Sequence, residues 1–183
     1  PLPLLRNETV IQAQPDQRGI TERYTDEALQ FINKNQDGPF FLYLAHMYVH
    51  VPLFVPQQFL ERSKNGAYGG AVECIDWSMG ILMDHLEQLG LSDNTLIVFT
   101  SDNGSRARDE GGSNQPCRGT KATTWEGGQR VPCIMRWPAK IASETVSDAI
   151  VTSMDFFPTF SKLAGEAVST ERIIDGHDVS GLM

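Results

Sequence analysis

Three familiar devices are missing from this sequence, and each absence closes off a class of protein. Cysteine is scarce: the chain has three, Cys74, Cys117 and Cys133, and no C-x-x-C pair among them. That argues against a structural zinc site or a dense disulfide framework. An odd count leaves at least one thiol without an intrachain disulfide, so the redox compartment stays open. Positive charge is also scarce, with 15 Lys and Arg against 23 Asp and Glu, a formal net charge of −8. A protein that tracks nucleic-acid phosphates needs a basic face, so nucleic acid is not an expected partner. An anionic substrate is still admissible, because a few local cations or a metal reverse the field inside one pocket. Finally, no apolar run is long enough to span a bilayer: the longest, residues 40–55, is interrupted by His46, His50 and Pro52. No signal peptide is visible either. The first residue is Pro1 rather than Met, from which we expect a processed or trimmed piece. Asn7-Glu8-Thr9 is a glycosylation sequon, informative only in a secreted protein.

What is present is ordinary for a globular protein: 183 residues, 40% apolar and 21% charged. That suits one sizeable domain or a large piece of one. Residues 1–20 read as an irregular lead-in and 21–183 as one body. The periodicity predicts a helix over 21–34, with Thr25 as its cap. It predicts a short helix over 56–63 and the longest helix over 70–89, stopped by Gly90. Continuous apolar runs at 40–45, 95–100, 131–137 and 149–152 read as strands, and a helix capped by Ser153 follows through 164. Helices alternating with buried strands imply an α/β fold. Its sheet is expected to be largely parallel or mixed, with helices on both faces.

The candidate chemistry lies where strands end. Asp102 and Asn103 follow the 95–100 run, at the carboxyl end where open sheets bind ligands. A carboxylate and an amide offer the hard oxygens that Ca2+ and Mg2+ prefer; an Asn-Gly hairpin turn explains the same residues. His46 and His50 leave the 40–45 run at the same edge. An imidazole there can donate to an anionic oxygen or protonate a leaving group, although histidines satisfied by backbone carbonyls explain the pair equally well. Lys121 sits among small residues in a Gly-rich loop, where an ammonium can neutralise developing negative charge; the alternative is a solvated loop lysine. Arg106, Arg108, Asp109 and Glu110 either touch a polar substrate or belong to a solvated loop. Asp155 and Asp175 read as structural caps.

Taken together, three segments resemble the sulfatase family, within the alkaline-phosphatase-like superfamily. They are Pro39-Phe40-Phe41-Leu42-Tyr43-Leu44-Ala45-His46 continuing to His50-Val51-Pro52, then Ser101-Asp102-Asn103-Gly104, then Arg118-Gly119-Thr120-Lys121 through Glu126-Gly127-Gly128-Gln129-Arg130-Val131-Pro132. The resemblance is closest to arylsulfatases. It implies that Asp102 and Asn103 are metal ligands, usually for Ca2+, with Mg2+ as an alternative. It implies that Lys121 contacts the sulfate group and that His50 binds substrate and acts as general acid. His46 matches more loosely, as a substrate-binding residue. The implied partner is a sulfated small molecule or glycan. The implied compartment lies among periplasm, lysosome and the outside of the cell.

One departure is large. The family's nucleophile is a formylglycine matured from Cys or Ser in a C/S-x-P-x-R motif, and no such motif occurs here. The aspartates that complete the family's metal site also have no match. The resemblance therefore implies the later part of a catalytic domain, truncated, with its partner the missing N-terminal half. We expect the chain alone to be inactive, to bind Ca2+ weakly and to self-associate through exposed strand edges. The alternatives are a phosphodiesterase or phosphonate hydrolase of the same superfamily, and a non-catalytic metal- or anion-binding module.

Overall fold

Sixteen residues from Ile20 to Asn35 form helix α1, within one residue of the expected span at each end but capped differently. A 3-10 turn, Gln17–Gly19, feeds it, capped by Asp16, whose carboxylate accepts the Arg18 N–H at 3.0 Å. Thr25 is thereby carried into the helix interior instead of capping it. Its hydroxyl donates to the Thr21 carbonyl at 2.8 Å and pairs with the Ser78 hydroxyl at 2.6 Å. A threonine can satisfy itself within a helix this way, so its polarity is no guide to a helix end.

The computed structural model describes residues 2–107, 111–169 and 171–183. Two compact units emerge. One holds the chain up to Ser92 together with Asn103–Arg130; the other holds Asp93–Asp102 and Val131–Met183.

In the first unit the expected irregular lead-in carries a small antiparallel pair, β1 (Leu4–Arg6) with β2 (Thr9–Gln12), turned at Asn7 with φ of 53°. Helix α2 (Gln57–Arg62) follows α1 much as predicted, with Pro56 as its cap. Helix α3 runs from Gly66 to Gln88 and starts earlier than its apolar periodicity suggests. Gly90, with φ of 68°, ends it, and the Leu91 N–H closes back on the Leu86 carbonyl at 2.9 Å. The buried stripe of α3 is Ala71, Cys74, Ser78, Leu82 and Leu86, not the larger Val72, Ile75 and Met79. Small residues win the first half of this face, through Ser78, where α1 packs close enough for the Thr25 and Ser78 hydroxyls to touch. The core gathers Tyr48, Val55, Phe59, Ala71 and Cys74, with Trp77 against Phe59. Burial pushes the Cys74 thiol up to about 11, so it is a packing residue rather than a nucleophile.

Residues 40–45, expected as a doubly covered strand, belong to neither sheet. Leu42 and Leu44 face Tyr24, Ala28 and Phe31 of α1 across a groove of about 310 Å³, while Phe41 and Tyr43 are exposed. The run is thus apolar on both faces but covered on one within the described residues.

In the second unit β3 (Ile97–Thr100) pairs with β4 (Cys133–Arg136), Ile97 opposite Arg136 and Thr100 opposite Cys133. The pairing is antiparallel, and among the described residues neither sheet contains a parallel pair. The expected sheet, largely parallel or mixed, contributes here its antiparallel pairs, since apolar runs report burial, not direction. Residues 149–152 form no strand, and Ile150 is 95% exposed. A 3-10 turn, Ser153–Asp155, then leads into helix α5 (Phe156–Leu163). Thr152, not Ser153, caps it in a reciprocal box with Asp155. Pro158 sits in the first turn, where its missing N–H costs nothing. Asp155 is a structural cap, as expected. It accepts the Thr152 N–H at 2.6 Å and, from the returning C-terminal segment, the His177 N–H at 2.8 Å. Those backbone donors, His177 first, hold its carboxyl below the usual range.

Candidate active site

The described residues of the segment Asn103–Arg130 in the first unit form one woven loop, and its glycines explain how. Gly104 packs so closely on the opposite strand of the loop that a Cβ would stand 1.9 Å from the Gly127 carbonyl oxygen. Its N–H donates to the Gly128 carbonyl at 3.1 Å. Gly104 does not have a positive φ, so Asn103-Gly104 is not a hairpin turn; the glycine serves a close backbone approach. Gly127 and Gly128 open a single helical turn, α4 (Glu126–Gln129). The Gly127 N–H donates to the Arg118 carbonyl at 2.7 Å. A Cβ on Gly128 would stand 2.5 Å from the Thr120 carbonyl. Gly119 does need its freedom, with φ of 92°.

Lys121 is fixed at the centre of this weave. Its N–H donates to the Ser105 carbonyl at 3.0 Å, two residues beyond Asn103. Thr123 closes a tight turn on Thr120, with its hydroxyl on the Thr120 carbonyl at 2.7 Å. Ala122 beside the lysine has φ of 70°, a left-handed conformation that costs a non-glycine residue about 1–3 kcal/mol. Such strain persists only where the surroundings enforce it. Lys121 itself is half-buried. The Arg118 guanidinium lies 3.8 Å above the Trp125 ring and pins the loop's far side.

The two histidines part company. The Nδ1 of His50 bonds the Val51 carbonyl at 2.7 Å. A carbonyl can only accept, so Nδ1 carries the proton and Nε2 is the ring position for an external hydrogen bond. Val51 also borders an open hollow of about 440 Å³, shared with Leu53, Lys64, Tyr68 and Gly111 of the same unit. None of the five candidate site residues lines it. Both ring nitrogens of His46 are buried with no hydrogen-bond partner among the described residues. Burial pushes its pKa below the ordinary value. The expectation of carbonyl-satisfied histidines therefore fits His50 and fails for His46.

Asp102 closes the second unit directly after β3, and Asn103 opens the woven loop of the first. The structure ties the Lys121 backbone by one hydrogen bond to Ser105, two residues along the chain from Asn103. The donor set of Asp102 and Asn103 fits a hard cation in kind. In number it falls short: no cluster of three His, Cys, Asp or Glu side chains suited to a metal occurs among the described residues, while Ca2+ takes six to eight oxygens. Asp175 lies in an irregular stretch. Arg108, Asp109 and Glu110 lie outside the described residues.

The residue that sequence reasoning missed is Asn114. Its side chain accepts the Ser105 N–H at 2.8 Å and donates to the carbonyls of Ser105 at 2.7 Å and Gly119 at 3.1 Å. The dense glycines around it were the available signal, because loops with that many close approaches need internal ties.

Comparison with known proteins bears on this arrangement. The family model described as Sulfatase matches residues 4–166. Steryl-sulfatase of Rattus norvegicus is 42% identical over 187 aligned residues, covering 98% of this chain and 32% of that protein. N-acetylgalactosamine-6-sulfatase of Mus musculus is 44% identical over 174 residues, covering 92% of this chain and 34% of that protein. The crystal structure of Ps i-CgsB in complex with k-i-k-neocarrahexaose superposes with a TM-score of 0.87 at 34% identity, covering 97% of this chain and 40% of that one. The chain thus spans about a third of the length of these relatives. No described helix is long and apolar enough to cross a membrane.

Proposed function

Because the chain belongs to the sulfatase family, with its alkaline-phosphatase-like α/β fold, we propose that it forms part of a catalytic domain that hydrolyses sulfate esters. The observation that carries this reading is the bond between the Lys121 loop and the turn after Asn103. It holds the backbone of Lys121 beside Ser105, two residues along the chain from a candidate metal ligand. Lys121 holds the sulfate oxygens and offsets the negative charge that builds on them. His50, its Nδ1 engaged by Val51, presents Nε2 to the substrate and, when protonated, gives a proton to the departing alcohol. Asp102 and Asn103 hold a divalent cation, Ca2+ or Mg2+, which when bound would neutralise sulfate oxygens. The substrate class is a sulfated small molecule or glycan, in keeping with the names steryl-sulfatase and N-acetylgalactosamine-6-sulfatase. A non-cytosolic compartment goes with this reading.

These 183 residues contain no C/S-x-P-x-R motif. We take the formylglycine nucleophile and the remaining metal ligands to come from elsewhere in the protein, so the isolated chain does not turn over an aryl sulfate. The test is the reading frame upstream of Pro1. It should encode C/S-x-P-x-R, and the protein made from it should cleave an aryl sulfate. Lys121→Ala in that protein should then lose roughly 10²–10³ in rate. An upstream frame without the motif, or K121A turning over at the wild-type rate, overturns the reading.

A further inference from the structure

We propose that Asn114 is a positioning residue that locks the backbone of Lys121 to Ser105, in the segment that follows Asn103. Its primary amide makes three hydrogen bonds to the backbone, using both of its hydrogens: Oδ1 takes the Ser105 N–H, while Nδ2 gives one hydrogen to the Ser105 carbonyl and one to the Gly119 carbonyl. Flipping the amide would set oxygen against two carbonyls and NH2 against an N–H, so the network fixes its orientation. Toward Ser105 the side chain acts like a neighbouring strand, meeting both the donor and the acceptor of one residue. The Ser105 carbonyl accepts Lys121 N–H as well. Ser105 is therefore shared by Asn114 and Lys121, and Gly119 ties the chain just before the lysine to the same amide.

The chemistry is selective for asparagine. Aspartate accepts but cannot donate. Alanine does neither. Glutamine places the amide one methylene farther out. The backbone of Asn114 is itself braced, its carbonyl accepting the Cys117 N–H at 2.8 Å. The clamp reaches no substrate atom and acts through the lysine. Its purpose rests on the reading of Lys121 as a sulfate contact, whereas its existence does not.

The test is residue-resolved amide exchange on the isotopically labelled chain, comparing wild type with Asn114→Asp and Asn114→Ala. Both variants remove the donors to Ser105 and Gly119, so Lys121 N–H should exchange about tenfold faster in each, the change expected for one net hydrogen bond. Asn114→Asp keeps an acceptor for Ser105 N–H. That amide should stay protected in N114D and open in N114A, while Cys74, Ser78 and Leu82 in α3 hold their wild-type rates. Should N114A fail to fold, the contrast in N114D between Lys121 and Ser105 decides alone. Unchanged exchange at Lys121, equal acceleration across α3, or the same Ser105 response in both variants overturns the proposal. Sulfate added to the wild type is read separately: silence there removes the purpose of the clamp but not the exchange pattern.

Discussion

Replacing Gly104 by alanine should force the Lys121 loop apart, and the size of the effect follows from the contact. The new Cβ would stand 1.9 Å from the Gly127 carbonyl oxygen and 2.9 Å from the carbon bonded to it. The far side is backbone, not the tip of a flexible side chain, so relief requires the two segments to part by about 1 Å or more. That displacement stretches the bond from Gly104 N–H to the Gly128 carbonyl, now 3.1 Å, beyond hydrogen-bonding range. Overpacking costs about 1–3 kcal/mol and the lost bond about 1 kcal/mol, together about 2–4 kcal/mol. At about 2–4 °C per kcal/mol for a chain of this size, the melting midpoint should fall by roughly 4–16 °C. If the loop opens locally before the unit melts, part of that cost appears instead as faster exchange at Lys121 N–H. Both are read on one labelled sample by thermal melting and exchange. A G104A protein that melts within about 1 °C of wild type and keeps its Lys121 amide protected would refute the close-approach argument.

The contrasting glycine is Gly80 in α3, whose Cβ would meet nothing within 4 Å; Gly80→Ala should stabilise by about 0.5–1 kcal/mol in urea unfolding. His46 predicts a pH dependence. Its folded pKa is depressed by burial, so below about 6.5 the unfolded chain binds the extra proton and stability falls as acid is added. Above that pH the penalty is gone. His46→Leu should remove this component and raise stability near neutrality by about 1 kcal/mol, since two partnerless nitrogens leave the interior; an unchanged stability–pH curve would count against it. The buried hydroxyl pair gives an asymmetric result: Ser78→Ala should cost about 0.5–1.5 kcal/mol, because Thr25 retains the Thr21 carbonyl. Thr25→Val strands Ser78 and should cost about 1–3 kcal/mol, with the double variant less damaged than the sum of the two.

The sequence spoke clearly where structure is local. The apolar periodicity of α1 and α3, the stop at Gly90 and the brief α2 all sit near their expected places, because a helix satisfies its own backbone within a few residues. The cap of α1 was misjudged at Thr25 and the start of α3 at Gly70, since a hydroxyl can bond within the helix and small residues can line a buried face. Strands were harder. The run at 40–45 announces burial, but nothing in it says which partner covers each face. The antiparallel match of Thr100 to Cys133 joins residues far apart in sequence, and no local pattern encodes it. Among the candidate residues, Asp102, Asn103, His50 and Lys121 stood out because their side chains suit ionic chemistry. Asn114 did not, because its work is done on backbone atoms that only the folded loop brings within reach. His46 looked like the twin of His50 by spacing; the structure buries its ring without a partner and so separates the two.

The most direct measurement is a sulfate titration of the labelled chain in Ca2+ buffer, followed by amide shifts in wild type and in Lys121→Ala. The Lys121 loop and Asn103 should respond together in the wild type, and both responses should vanish in K121A. Shifts confined to other surfaces, or an Asn103 response that persists undiminished without the ammonium, would contradict this.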